Sequence, residues 1–315
     1  MVFDHLLVIG FGGPTAPEEV VPFLKVVTQG TDVPEARLQQ VAQHYAQTGG
    51  FSPYNAHTFR LVEKLKKSLR QAGIHLPIFT GMRNWHPFLA ETLAEIKAKN
   101  LKKGIGIILA PHRSEASFGR YVRSVEQALA EVQADGLPTG QAGIRYEYVK
   151  PWHGHPLFIE AQADRVRASL EPLEPAERKG SHLIFCAHSI PMEIARSSRY
   201  AEEFRESSER VAQALQHPAW SIAYQSRSGP PKQPWLEPDI LSVIRSLKQK
   251  GSHSVVVVPI GFLSDHTEVL YDLDLEARQE AQKAEIAFRR ASTVMDHPKF
   301  VAMFAELTRE RMLGS

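Results

Sequence analysis

The chain has 315 residues, 43% hydrophobic and 23% charged, and its 37 Lys and Arg against 35 Asp and Glu leave a formal charge of +2. That balance builds no whole-molecule field for nucleic acid or an anionic membrane surface, while the apolar content suffices for one large or two medium cores. The single cysteine, Cys186, excludes intrachain disulfides and an all-cysteine iron–sulfur cluster, and it suits a reducing, cytoplasmic setting.

Short apolar runs alternate with amphipathic stretches from end to end, the pattern of βα units that build parallel sheets. The first strand, 5–11, follows an opening that lacks the basic head and length of a secretory signal, and it runs into Gly10-Phe11-Gly12-Gly13-Pro14. A dinucleotide fingerprint would need its third glycine at position 15, which is Thr15. Helices are predicted at 35–47 and 56–73, then a strand at 77–81 that enters Gly81-Met82-Arg83-Asn84-Trp85-His86-Pro87. A helix at 87–99, a strand at 105–111 ending in Pro111-His112-Arg113-Ser114, and a helix at 117–133 complete the first half.

The Leu137-Pro138-Thr139-Gly140 turn and the Pro151–Pro156 segment predict a hinge near 140–155. Further strands are predicted at 145–149, 182–187, 220–225 and 254–260, with helices at 156–170, 201–216, 236–249 and 267–283. We expect an N-terminal α/β domain over 1–145 and a C-terminal α/β domain over 146–295, with the last helix, 296–315, packing back on the first. No uncharged apolar run exceeds the nine residues from Val255 to Leu263, far below a membrane span.

Ligands of open parallel sheets lie beyond the carboxyl ends of the strands, so the loops there are the place to look. After strand 254–260 a helix carries Glu268, Asp272 and Glu276 four residues apart, on one face and about 12 Å along it. The ordinary reading of such a pattern is a solvated acidic face. Against it, like charges at this spacing repel, and no Lys or Arg interrupts the chain from Pro259 to Arg278, so a cation is expected to visit.

The fourteen histidines include no His-Glu-x-x-His, and His153 and His155 sit on a turn. His188 differs, because an apolar strand delivers it to a loop ahead of Ser189-Ile190-Pro191. One imidazole and one carboxylate ladder make a weak, open metal site of the kind that passes metal onward. The apolar neighbours of Cys186 make it a core filler rather than a nucleophile.

Taken in order, Phe11–Pro14, Gly49-Gly50-Phe51-Ser52-Pro53, Arg83–Phe88, Ala187–Pro191, Tyr224–Arg227 with Trp235–Pro238, and Ser264–Asp272 resemble the ferrochelatase family over nearly the whole chain. The resemblance implies two similar Rossmann-like, chelatase-type α/β domains, each a parallel sheet flanked by helices, with an active cleft between them. It implies insertion of Fe²⁺, as substrate, into a porphyrin, with no permanently bound cofactor. His188 and Glu268 match the catalytic and metal-binding pair, Asp272 and Glu276 match acids further along the same helix, and Phe11, Tyr45, Ser52, Arg113 and Tyr121 fall at substrate-binding positions. In this reading His188 works on one face of the ring and Glu268 opposite it.

The wording around Phe11 and Asn84–Pro87 looks most like the coproporphyrin III branch, with a protoporphyrin IX enzyme or a non-catalytic porphyrin carrier as alternatives. Phe11 stands where some of that branch have a tyrosine able to ligate iron, and Gln29 and His44 replace arginines of some relatives. Transient contact with neighbouring haem-pathway enzymes is expected, and contact with nucleic acid is not.

Overall fold

All six residues of the first strand, His5–Gly10 (β1), are buried, and a continuous buried run requires cover on both faces and a neighbour at each edge. In the computed structural model β1 pairs in parallel with β2 (Ile78–Met82) on one side and β3 (Lys103–Ile108) on the other. β4 (Arg145–Tyr148) completes a sheet of order β2-β1-β3-β4. The second sheet repeats the plan: β5 (His182–His188) lies between β6 (Trp220–Gln225) and β7 (Ser254–Val258), and β8 (Ala287–Arg290) gives the order β6-β5-β7-β8. Every pairing in both sheets is parallel.

Residues 2–30, 33–134, 143–228 and 232–314 are described by the structure; the turn expected at Leu137-Pro138-Thr139-Gly140 lies outside them. The chain divides into two compact units, one of Met1–Ala110, Ser117–Pro151 and Phe300–Ser315, the other of Pro111–Ala116 and Trp152–Lys299. The first carries α1 (Val20–Val27), α2 (Glu35–Gln47), α3 (Tyr54–Gln71), α4 (Leu89–Ala98) and α5 (Arg120–Gln133). In its core Leu7, Ile9 and Ile108 of the sheet pack against Leu93, Ile96 and Val125 of α4 and α5.

The second unit carries α6 (Pro156–Leu170), α7 (Pro175–Gly180), α8 (Met192–Arg196), α9 (Tyr200–Ala214) and α10 (Ile240–Gln249). It continues through α11 (Thr267–Val269), a π-helical stretch Leu270–Ala277, and α12 (Arg278–Lys283). The closing helix, α13 (Pro298–Leu313), belongs from Phe300 onward to the first unit. Ile184 and Cys186 of β5 and Val255 and Val257 of β7 meet Ile244, Val269, Leu273 and Ala277 in one fully buried cluster. Burial raises the Cys186 thiol, in keeping with a core filler.

The predicted strands and long helices are present with small shifts at their ends. The helix expected to begin at 236 begins instead at Ile240, because the Asp239 carboxylate caps it by accepting the Leu241 N–H at 2.9 Å. The short elements α7, α8 and β8 escaped the sequence reading, β8 being a four-residue edge strand that carries Arg289 and Arg290. α1 is rich in valine, and Pro22 is tolerated because the first turn needs no N–H. Among the described residues no helix is long and apolar enough to cross a membrane.

Candidate active site

In the order β6-β5-β7-β8 the chain leaves β5 toward β6 and returns to β7 on the far side of β5, so a crevice opens beyond the carboxyl ends of β5 and β7. β5 ends in His188, and the segment after β7 leads into α11, whose second residue is Glu268. Gly261 lets the two exits touch. Its N–H bonds the Cys186 carbonyl at 3.1 Å, and a Cβ there would stand 2.5 Å from Ala187 Cβ. His266 fixes the first turn of α11, its Nδ1 accepting the Glu268 N–H at 3.2 Å.

His188 Nε2 and Glu268 Oε1 stand 3.8 Å apart, with side chains 32% and 48% exposed. A ring stacked between two heavy atoms needs about 7 Å, so this spacing leaves no room for a macrocycle between the two groups, against the expectation that they stand on its opposite faces. The imidazole Nδ1 meets the carbonyl of Ser189, which can only accept, so Nδ1 carries the proton. Nε2 therefore faces a carboxylate oxygen and needs a cation, a proton or a metal, between them. A first-row divalent ion about 2.0–2.2 Å from each ligand spans that gap. Among the described residues no group of three or more His, Cys, Asp or Glu side chains is placed to hold a metal ion.

Three contacts outside the pair hold it in place. The Tyr200 hydroxyl donates to the His188 carbonyl at 2.8 Å, the Gln225 amide donates to the Glu268 carbonyl at 3.0 Å, and the Ser189 N–H bonds the Gln225 carbonyl at 2.8 Å. Gln225 is 2% exposed, so its geometry is fixed by packing.

Behind Glu268 the acids run along the π-helical stretch. Its i→i+5 turn counteracts the 40° that each step of four gains in an α-helix, which keeps Glu268, Asp272 and Glu276 in one row. Glu268 and Glu276 are exposed and Asp272 is half-buried. Burial pushes the Asp272 carboxyl up to about 7, Glu268 and Glu276 push the same way, and a hydrogen bond from Ser226 together with His188 opposes them. Ser226 directs its hydroxyl to Asp272 from a left-handed backbone, φ 60°.

Of the other predicted residues, Phe11, Tyr45, Ser52 and Tyr121 belong to the first unit. Phe11 is half-buried at the carboxyl end of β1, its N–H bonded to the Tyr54 hydroxyl at 3.0 Å, and it packs edge-on to Phe23. Tyr45 and Trp85 share that aromatic cluster around Phe23, and Trp85 donates to Glu19 at 2.9 Å. Ser52 is buried against Gly13, and Tyr121 is buried in the sheet–helix core, its phenol held protonated by burial. Burial also lowers His44, which stands in place of an arginine of some relatives.

Arg113 belongs to the second unit. Its Nε and backbone N–H bond the fully buried Glu203 carboxylate at 2.9 and 2.8 Å, and Nη2 reaches the same group at 2.5 Å. Tyr200, Gln225 and Ser226 received no role from sequence reasoning. Gln225 and Ser226 lie in a noted motif, but hydrogen bonds to residues more than forty positions away left no local signal.

The model of the family described as ferrochelatase matches residues 4–312. A ferrochelatase of Rhodopirellula baltica is 40% identical over 98% of this chain and 86% of its own length. Coproporphyrin III ferrochelatases of Nocardia farcinica and Mycobacteroides abscessus are 38% and 39% identical, each over 100% of this chain and 90% of their own. Among solved structures, SirB from Bacillus subtilis with Fe³⁺ has a TM-score of 0.58 at 13% identity over 98% of this chain and 95% of its own, a likeness of fold. With the motif order, the repeated parallel sheets and the family match over nearly the whole length, the chain belongs to the ferrochelatase family.

Proposed function

We propose that the protein inserts Fe²⁺ into coproporphyrin III to give the iron coproporphyrin, an intermediate of haem formation. The observation that carries the reading is the 3.8 Å approach of His188 Nε2 to Glu268 Oε1 at the sheet's crevice, backed by the acid row. Insertion removes two pyrrole protons while the metal sheds water, so the site needs bases and a metal contact together. Nε2 and the Glu268 carboxylate supply both from one side of the ring. Asp272, with its carboxyl pushed up to about 7, is poised to take protons and pass them to the exposed Glu276.

Porphyrin contact is proposed for Phe11, Tyr45, Ser52 and Tyr121, the two buried tyrosines backing an apolar wall. Arg113 is proposed to meet a propionate while its guanidinium stays anchored on Glu203. No resident cofactor is required, and Fe²⁺ enters as substrate. The proposed setting is the cytoplasm, which suits a buried free thiol at Cys186.

The relatives named for coproporphyrin III support the substrate, and side-by-side anaerobic kinetics test it. Coproporphyrin III and protoporphyrin IX are each supplied with Fe²⁺, and kcat/KM is expected to favour coproporphyrin III at least tenfold. A preference for protoporphyrin IX overturns the substrate and leaves the reaction class standing. Stoichiometric binding of either ring without turnover overturns the reaction.

A further inference from the structure

The π turn that aligns the acid row is an uncommon geometry, and such turns persist where neighbouring groups hold them. One side chain holds this one at two points. Arg290, at the end of β8 and 13% exposed at its side chain, forks onto Asp274, with Nε to Oδ1 and Nη2 to Oδ2 both at 2.8 Å. Its Nη1 donates at 2.7 Å to Asp265, which lies three residues before Glu268, and at 3.2 Å to the Ala291 carbonyl.

Asp274 lies midway between Asp272 and Glu276 in sequence, and so on the side of the helix away from them. A single guanidinium thus joins the loop that enters the helix to the back of its π stretch. Arg278 adds to this by donating its Nε to the Asp274 carbonyl at 3.1 Å. The fork itself is anchored on the sheet, since Arg290 pairs with Val257 of β7, the strand whose exit leads to Glu268.

We propose that Arg290 is a positioning residue for metal insertion: by clamping Asp265 and Asp274 it fixes the π stretch so that Glu268 meets His188 and the acid row stays in line. The inference rests on the reading of His188 and Glu268 as the reacting pair. It assigns the arginine no contact with porphyrin or iron. A bidentate contact to Asp274 together with a third bond to Asp265 needs a planar fork, which lysine lacks despite an equal charge.

The test compares wild type with Arg290→Lys, Asp274→Asn and a control, Arg245→Gln, in anaerobic Fe²⁺ insertion at saturating porphyrin. Arg245 bridges to Glu280 at 3.0 Å on α12, beyond the π stretch, and its loss is expected to leave kcat unchanged. Arg290→Lys and Asp274→Asn are expected to lower kcat roughly 10- to 100-fold, the scale of a misplaced reacting group, with the porphyrin KM unchanged within about twofold. Porphyrin binding followed by fluorescence quenching should match wild type in both variants, a result that general unfolding would not give.

Wild-type kcat in a folded Arg290→Lys overturns the proposal, as does an equal loss in Arg245→Gln. A rise in porphyrin KM at constant kcat also overturns it, because the arginine would then serve ring binding. If wild type itself inserts no iron, the reading of the pair fails instead, and the two failures are separated by the first assay.

Discussion

An imidazole whose Nδ1–H is tied to a backbone carbonyl acts through Nε2 alone, and in this protein that nitrogen looks at a carboxylate 3.8 Å away. Removing either partner leaves the other without the group that shares its cation. His188→Ala and Glu268→Gln are each expected to lower anaerobic iron insertion by at least about 100-fold, with the circular-dichroism spectrum unchanged. Turnover near the wild-type rate in either variant contradicts the assignment. Asp272 carries a different signature. Its folded-state carboxyl titrates near 7 against an ordinary value of 3.8, so the folded protein holds that proton more tightly than the unfolded chain. The matching stability is present in full below about pH 4 and is lost as pH rises through 7. Asp272→Asn is therefore expected to be more stable than wild type by about 1–3 kcal/mol at pH 8, with the difference closing near pH 4, as urea unfolding would report.

At the scale of the element, the acid helix is where sequence and structure part company most usefully. A continuous helix over 267–283 is expected from its polarity, and the structure interrupts it with eight π-helical residues. The signal was present in another form. Val269, Leu273, Ala277 and Ala281 are all fully buried at a spacing of four, and Glu268, Asp272, Glu276 and Glu280 run beside them at the same spacing. In an α-helix three such steps drift by about 120° and carry the last residue off the face. Two stripes of strict period four ask for a wider turn, and that is legible from residues alone. Arg290 is not, because its partners lie 16 and 25 positions away and a charged edge strand reads as loop. The strand exits give a further expectation. A methyl group at Gly261 would stand 2.5 Å from Ala187 Cβ and 2.7 Å from its Cα, and backbone cannot yield as a side chain does. Gly261→Ala is expected to cost about 1–3 kcal/mol in denaturant unfolding and to lower kcat, by parting the exits that carry His188 and Glu268.

Across the whole molecule the fold was readable because both sheets use the same plan, with buried central strands whose unbroken apolar runs mark them without alignment. That His188 and Glu268 stand near each other was readable for a related reason, His188 closing one such strand and Glu268 lying in the segment after its neighbour. Partners assembled from distant segments were not, and the clearest case is a buried histidine outside the proposed chemistry. His112 is 1% exposed, with Nε2 at 2.8 Å from the Ser207 hydroxyl, and burial together with His153 lowers it to about 3 from an ordinary 6.5. The unfolded chain takes up a proton there that the folded protein refuses. The stability this contributes is whole above pH 6.5 and disappears as pH falls through 3, opposite in sense to Asp272. By pH 4.5 the loss should reach about 2–3 kcal/mol. His112→Gln keeps a polar group beside Ser207 and removes the titration. Its unfolding free energy is expected to fall less steeply than that of wild type between pH 6.5 and 4.5. Parallel wild-type and variant curves over that range would show that acid instability arises elsewhere in the protein.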